Sequence, residues 1–319
     1  MQNLVDKINN KILSLHIPAH PAGLYEPVTY TLALGGKRMR PLLTLLGYSL
    51  FKDENEKSLD AAVAIEVFHN FTLLHDDIMD NAPIRRGKQT VWSKWGTSVA
   101  TLSGDVMQIM AYELLSGYEP SLLKRILPVF NHTAINVCEG QQLDMDYETA
   151  ENVSIPDYIK MIELKTAVLL GTAIQLGAMI AEANDEDTRN LYEFGKNTGI
   201  AFQLQDDILD VFGEAEKFGK QMGGDIVSNK KTFLLLKTFE LADEATRAKL
   251  KGLLNEKDEQ KKVKEVKEIY HRLEVKKLAE AEMQQFYSKA LSSLEKVNAP
   301  AEKKKKLTDF TNKLMKRDN

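Results

Sequence analysis

Two stretches far apart in the chain carry the same acidic pattern inside apolar residues at helical spacing, and this repeat constrains the fold more than any other feature. Leu73-Leu74-His75-Asp76-Asp77-Ile78-Met79-Asp80 and Gln203-Leu204-Gln205-Asp206-Asp207-Ile208-Leu209-Asp210 both read Asp-Asp-x-x-Asp. At about 100° per residue, Asp76 and Asp80 sit nearly one above the other on a helix, and Asp77 lies within about 100° of both. Like charges at i and i+4 weaken the helix that carries them, so something positive must offset them. Carboxylate oxygens presented this way suit Mg²⁺, which takes one or two carboxylates and fills its other positions with water and phosphate. A single copy reads equally well as a solvated acidic turn. Two copies predict facing clusters that hold several divalent ions around one polyphosphate leaving group.

Apolar periodicity is helical nearly everywhere, and no βαβ rhythm or strand alternation bounded by Asn-Gly or Asp-Gly turns interrupts it. Helices are expected at about 2–15, 21–34, 38–51, 58–80, 97–117, 120–149, 155–163, 165–183, 187–213, 229–241, 244–254, 258–270, 273–296 and 300–316. Pro18, Pro21, Gly35-Gly36, Pro83 with Gly87, Pro120, Pro156 and Pro300 punctuate them. No shift in composition marks a boundary. The expectation is an all-α fold, one large helical bundle around a central cavity, with residues 1–319 forming a single domain.

A net charge of −4, with basic residues mostly interleaved among acids, makes no case for nucleic acid, and the short run Lys303–Lys306 reads as a solvated face. One cysteine, Cys138, excludes an internal disulfide framework and fits a reducing compartment. The first residues have neither a basic segment nor an apolar one, so no signal peptide is expected. The longest uncharged run, Thr166 to Ala181, is shorter than the ~18–20 residues needed to span a bilayer and is expected to be a buried helix. A cytoplasmic protein without stable membrane insertion is the expectation.

Three non-helical pieces are both basic and glycine-bearing. In Gly35-Gly36-Lys37-Arg38-Met39-Arg40-Pro41 the glycines let the backbone approach a ligand, while Lys37 and Arg40 reach an anion together. No Ser or Thr follows the Lys, so this is not a nucleotide P-loop. Arg85-Arg86-Gly87 follows the first acidic stretch and suits diphosphate oxygens, which Arg binds bidentately. Phe212 to Thr232 follows the second and holds Gly213, Gly219, Gly223, Gly224, Lys217, Lys220, Lys230 and Lys231, the makings of a lid or of an ordinary connection. His75 adjoins the first motif, yet His16, His20, His69, His132 and His271 do not add the spacing of a His-Asp metal hydrolase.

Taken in order, Gly-Gly-Lys-Arg-x-Arg-Pro, the first Asp-rich motif with Arg-Arg-Gly, Gly-Gln-x-x-Asp, Lys-Thr, Gln-x-x-Asp-Asp-x-x-Asp and Lys-x-Thr resemble the trans-isoprenyl diphosphate synthases, the polyprenyl synthetase family. The resemblance implies an isoprenoid synthase-like fold, a homodimer through the apolar helices around 97–150, and Mg²⁺, three ions per site with Mn²⁺ as a substitute. It implies condensation of isopentenyl diphosphate with dimethylallyl, geranyl or farnesyl diphosphate. Asp76 and Asp80, supported by Asp77, would be the metal ligands of the first motif; Asp206 would lead the second, with Asp207 and Asp210 nearby. Arg85, Lys165, Lys220 and Lys230 would hold the allylic diphosphate. Lys230 is preferred to Lys231 because it lies two before Thr232. Gly36, Lys37, Arg40, His69 and Arg86 would form the isopentenyl diphosphate site. Gln141 and Asp144 would line the cavity, and Thr166 and Gln203 would turn oxygens toward the allylic cation.

Breaking an allylic C–O bond leaves a cation and a highly charged diphosphate, so the leaving group needs electrostatic stabilisation and the cation a closed apolar pocket. The departing diphosphate would take the proton, so no separate base is required. On a helix, Thr72, Phe71 and Phe68, four, five and eight residues before Asp76, project down the cavity. Two aromatic floors imply a short product, and by resemblance C20, then C15. A terpene cyclase would share the first motif but lack the Gly35–Pro41 site. A non-catalytic partner subunit would have lost one acidic motif. A metal-buffering bundle leaves the Arg and Lys positions without a reason.

Overall fold

The computed structural model describes residues 1–53, 56–213 and 223–315, and it is built from helices in nearly the expected places. Helix α1 spans Gln2–Leu13, α2 Ala22–Ala33, α3 Met39–Ser49, α4 Leu59–Met79, α5 Val91–Trp95, α6 Thr97–Ser116, α7 Pro120–Thr149, α8 Ile155–Ile162, α9 Val168–Ile180 and α10 Asp185–Phe212. The helices Gly224–Val227, Phe233–Leu241, Glu244–Leu254, Glu259–Arg272, Val275–Glu295 and Ala301–Met315 follow. The fold is all-α in class, as expected.

Local chemistry explains several starts. Ser154 and Asp157 form a reciprocal capping box at α8, with Pro156 in the first turn. The Asn184 side-chain oxygen accepts from the Asp187 N–H at 2.8 Å and opens α10. The short helices α5 and Gly224–Val227 fall where none was expected, and two further places depart from the expected pattern. Strands β1 (Ile84–Arg85) and β2 (Lys88–Gln89) pair antiparallel, Ile84 opposite Gln89. Their two-residue link has Arg86 at φ 54° and Gly87 at φ 73°, the left-handed pair that a tight hairpin turn requires. The break expected between 163 and 165 is instead a π-helical turn, Glu163–Ala167, that carries α8 directly into α9.

The chain packs as two compact units. The first comprises Met1–His132, Thr172–Tyr192 and Val297–Lys304; the second comprises Thr133–Gly171, Glu193–Lys296 and Lys305–Asn319. In the first, α4 is apolar on nearly every side and buries Ile65, Val67 and Phe68 completely, so it serves as a central core helix. In the second, Tyr158, Ile162, Ala167, Leu204, Ile208, Leu234, Val266 and Tyr270 share one core. The stretch Ile155–Ile180 is long and apolar enough to cross a membrane by length and composition, but 78% of its apolar window is buried inside the protein.

Candidate active site

The predicted residues divide between the two units. In the first, Asp76 and Asp77 occupy the last turn of α4 and Asp80 is its C-cap. A helix C-terminus already carries partial negative charge, so three carboxylates there make the need for a cation acute. Arg85 on β1 meets it. Its Nη2 lies 2.8 Å from an oxygen of Asp76 and its Nε 2.7 Å from an oxygen of Asp77. Asp77 is buried, and burial pushes its carboxyl above the usual range while Arg85 pulls it back. Burial disfavours the Arg85 charge, but Asp77 and Asp76 more than offset it and hold the guanidinium charged. Asp80 is exposed.

Behind this cluster α4 presents aromatic rings. Phe71 lies 4.8 Å from the His75 ring and 5.4 Å from Phe68, centroid to centroid, and Phe68 lies 5.1 Å from Phe130. Thr72 turns its hydroxyl back to donate to the His69 carbonyl at 2.8 Å.

The Gly35–Pro41 piece enters α3 through Arg38, which adopts a left-handed φ of 49°. The Arg38 guanidinium is buried and donates to Glu66 at 2.6 Å, to Asn9 at 3.0 Å and to the Leu32 carbonyl at 3.2 Å. It thereby ties the turn to α1, α2 and α4. Gly36 has φ 146°, and a Cβ there would come within 3.0 Å of the Arg86 guanidinium, which donates to the Gly35 carbonyl. Arg40 Nη1 lies 3.1 Å from His69 Nε2. Arginine can only donate, so His69 Nε2 accepts and the ring is neutral. Burial drives its pKa well down, followed by the charges of Arg40, Arg86, Arg85 and Arg38. Arg40 itself is lowered to about 10 by burial, with Glu66 opposing. Its Nε is buried with no hydrogen-bond partner. Lys37 is exposed beside this cradle.

In the second unit α10 carries Gln203, Asp206, Asp207 and Asp210, and the π-helical turn carries Lys165 and Thr166. Lys165 Nζ lies 2.6 Å from Asp144 on α7. This approach depends on Gly140, where a Cβ would stand 2.2 Å from the Lys165 backbone nitrogen. The Thr166 hydroxyl lies 3.4 Å from Gln203 Oε1, and Gln203 Nε2 donates to Asp207 at 3.1 Å. The Tyr158 hydroxyl donates to the other Asp207 oxygen. Burial, then the charge of Asp225, shifts the Asp207 carboxyl upward; the donors and Lys230 draw it back. Asp210 accepts from the Asp225 N–H at 3.0 Å. Lys231 donates to the Tyr147 carbonyl and, at 3.0 Å, to that of Glu148, whereas Lys230 is exposed and its charge acts on Asp207. Gln141 Nε2 is buried without a hydrogen-bond partner. Lys217 and Lys220 lie outside the described residues.

Among the described residues no three His, Cys, Asp or Glu side chains gather closely enough to hold a metal unaided. Three residues escaped the sequence reading. Glu66 had a signal, a lone charge in the apolar run Ala61–Phe68, and with it Arg38, the middle basic residue of the Gly35–Pro41 piece. Tyr158 had none, since it reads as part of the apolar face of α8.

Three comparisons bear on this geometry. The family described as "Polyprenyl synthetase" matches residues 21–273. The chain is 40% identical over 251 residues to a geranylgeranyl diphosphate synthase of Methanosarcina mazei, covering 75% of this chain and 77% of that one. It is 36% identical over 320 residues to a geranylgeranyl diphosphate synthase of Sulfolobus acidocaldarius, covering 97% and 96%. A crystal structure of a geranylgeranyl pyrophosphate synthase superposes with a TM-score of 0.92 at 44% identity, covering 99% of this chain and 97% of the other.

Proposed function

The chain belongs to the polyprenyl synthetase family, and from that premise we propose that it makes an all-trans C20 diphosphate, with C15 as the next product, through the two acidic motifs. It is a Mg²⁺-dependent prenyltransferase that condenses isopentenyl diphosphate with an allylic diphosphate. The observation that supports the site assignment is that the first unit holds two different means of binding a diphosphate, one through cations and one direct. One is the acidic cluster of Asp76, Asp77 and Asp80; the other is the Gly36–Arg40–His69–Arg86 cradle, with the unsatisfied Arg40 Nε inside it. A cyclase has one diphosphate to hold and needs only the first.

The donor set fits Mg²⁺. It consists of hard carboxylate oxygens, and the cluster already draws a cation, Arg85, onto Asp76 and Asp77. Few protein ligands per ion suit a metal that completes its shell with water and phosphate. Asp76, Asp80 and Asp206 would hold it, three ions per site, with Mn²⁺ as a substitute. When bound it would neutralise charge developing on the leaving diphosphate.

The chain's own residues do the rest. Arg85, Lys165, Lys220 and Lys230 hold the allylic diphosphate as its C1–O bond breaks and the electron pair leaves on oxygen. Arg40, Arg86, Lys37 and neutral His69 hold the second diphosphate by direct hydrogen bonds, with Gly36 leaving room. Thr166 and Gln203 turn oxygen toward the allylic carbon. The isopentenyl double bond attacks that carbon, and the departing diphosphate takes the proton lost from C2. Phe68, Phe71 and Thr72 set where the growing chain stops. A homodimer is proposed through α6 and α7, where Leu102, Ile109 and Ile135 stand 57%, 59% and 57% exposed. A cytoplasmic location without membrane insertion completes the reading.

Purified protein with Mg²⁺, isopentenyl diphosphate and dimethylallyl, geranyl or farnesyl diphosphate in turn should give a linear product that dephosphorylates to a C20 alcohol. No elongation, indifferent to chelator, would move the non-catalytic partner subunit ahead; cyclic hydrocarbon would favour the cyclase.

A further inference from the structure

Gln203 is held from behind. A side-chain amide has an oxygen end and an N–H end of nearly the same shape, and only its neighbours decide which way it points. Here the decision is made by Asp207, whose Oδ1 accepts from Gln203 Nε2 at 3.1 Å. The opposite end, Oε1, then falls on the side of Thr166, whose hydroxyl lies 3.4 Å away. Asp207 is itself fixed: its second oxygen accepts from the Tyr158 hydroxyl, and both residues are buried, at 5% and 2% exposure. The chain of bonds runs from α8 through α10 to the π-helical turn, all within the second unit.

We propose that Tyr158 and Asp207 are positioning residues that lock the Gln203 amide with its carbonyl oxygen, rather than its N–H₂, toward the allylic carbon. This rests on the proposed function. The second aspartate of the second motif then serves chiefly through Gln203, although it reads as one of a set of metal ligands. The physical stake is the sign of a dipole. A carbonyl oxygen stabilises positive charge developing at the allylic carbon, and an N–H₂ group in its place opposes it, in a site where water does not screen the difference. Tyr158 narrows the amide to one orientation by holding the carboxylate plane; without it Asp207 rotates and both amide orientations are populated.

The test is a double-mutant cycle on the full-length enzyme, with kcat and KM for both diphosphates and the thermal midpoint measured for Tyr158→Phe, Gln203→Ala and the pair. Tyr158→Phe should lower kcat about tenfold with both KM values unchanged, since only charge developing in the transition state is affected. In the Gln203→Ala background the same substitution should cost nothing further in kcat. Equal losses in both backgrounds overturn the proposal, because a general packing role would act with or without Gln203. So does an unchanged kcat in either single variant. If Tyr158→Phe fails to fold, Asp207→Asn replaces it in the same cycle, with the same expectation. Absence of elongation by the unmodified enzyme is the separate result that overturns the proposed function.

Discussion

The two Asp-Asp-x-x-Asp stretches are nearly the same in sequence and take their hydrogen bonds from different kinds of donor. In the first, Asp76 and Asp77 are met by a full positive charge, Arg85, delivered by a hairpin outside the helix. In the second, the hydrogen bonds to Asp207 and Asp210 come from neutral groups, a phenol, a side-chain amide and a backbone N–H, while the charge of Lys230 also acts on Asp207. The scaffolds differ in the same way. Helix α4 is pinned by the buried Arg38–Glu66 ion pair, whereas the turn beside α10 is pinned by close backbone approach at Gly140. A cation held by two carboxylates exchanges for another cation without rebuilding the protein around it. Neutral donors that hold a carboxylate plane fix geometry instead. The first cluster is therefore suited to capture and the second to orientation.

The largest expected effect separates these roles. Asp76→Asn should cut kcat/KM by about a thousandfold, the several kcal/mol that electrostatic stabilisation of a leaving group supplies, with the thermal midpoint unchanged. Asp207→Asn should cost about tenfold, almost all in kcat. Equal losses measured side by side would break the comparison. Next is the scaffold of the first unit. Arg38→Met should destabilise by about 3 kcal/mol in denaturant titration, because it strands a buried Glu66 charge, and adding Glu66→Met should recover most of that. No recovery would mean that the contacts of Arg38 to Asn9 and Leu32 matter more than the ion pair.

Helix placement was legible because periodicity of apolar residues is a local signal and this chain is helical almost throughout. Both acidic clusters and the basic turn were legible as motifs. What escaped depends on partners far away in sequence. The Tyr158–Asp207 bond joins residues 49 apart, and nothing on α8 announces it. The π-helical turn needs an α7 that can be approached at Gly140, so the chain at Leu164 looked like a break between helices. The hairpin hides because its turn is Arg-Gly, with a non-glycine residue forced to positive φ, rather than Asn-Gly. The first and second aspartates of each motif look alike on paper. Only burial distinguishes them, and burial is set by the assembled core.

The rings of Phe68, Phe71 and Phe130 lie in the first region, and they offer a further test of the contrast. Phe71→Ala or Phe68→Ala should lengthen the product by at least one isoprene unit in the dephosphorylated product profile, since each removes a ring from the tilted and edge-to-face set of Phe68, Phe71 and Phe130. Unchanged length in both variants would remove these residues from chain-length control.

The smallest effect concerns protons. The arginines that gather near the first cluster also crowd His69, and burial together with Arg40, Arg86, Arg85 and Arg38 holds it neutral far below its ordinary value of 6.5. The unfolded chain protonates this histidine below that pH and the folded protein does not, so stability contributed at neutral pH is lost as the pH falls through 6.5. His69→Gln keeps an acceptor for Arg40 and removes the titration. Between pH 7 and pH 5 the unmodified protein should therefore lose about 1–2 kcal/mol more than His69→Gln, read as the difference in denaturant midpoints at the two pH values. Equal losses would show that His69 takes up a proton in the folded state. The burial and cationic crowding around His69 would then be too weak to exclude its proton, and the contrast with the neutral donors of the second region would shrink accordingly.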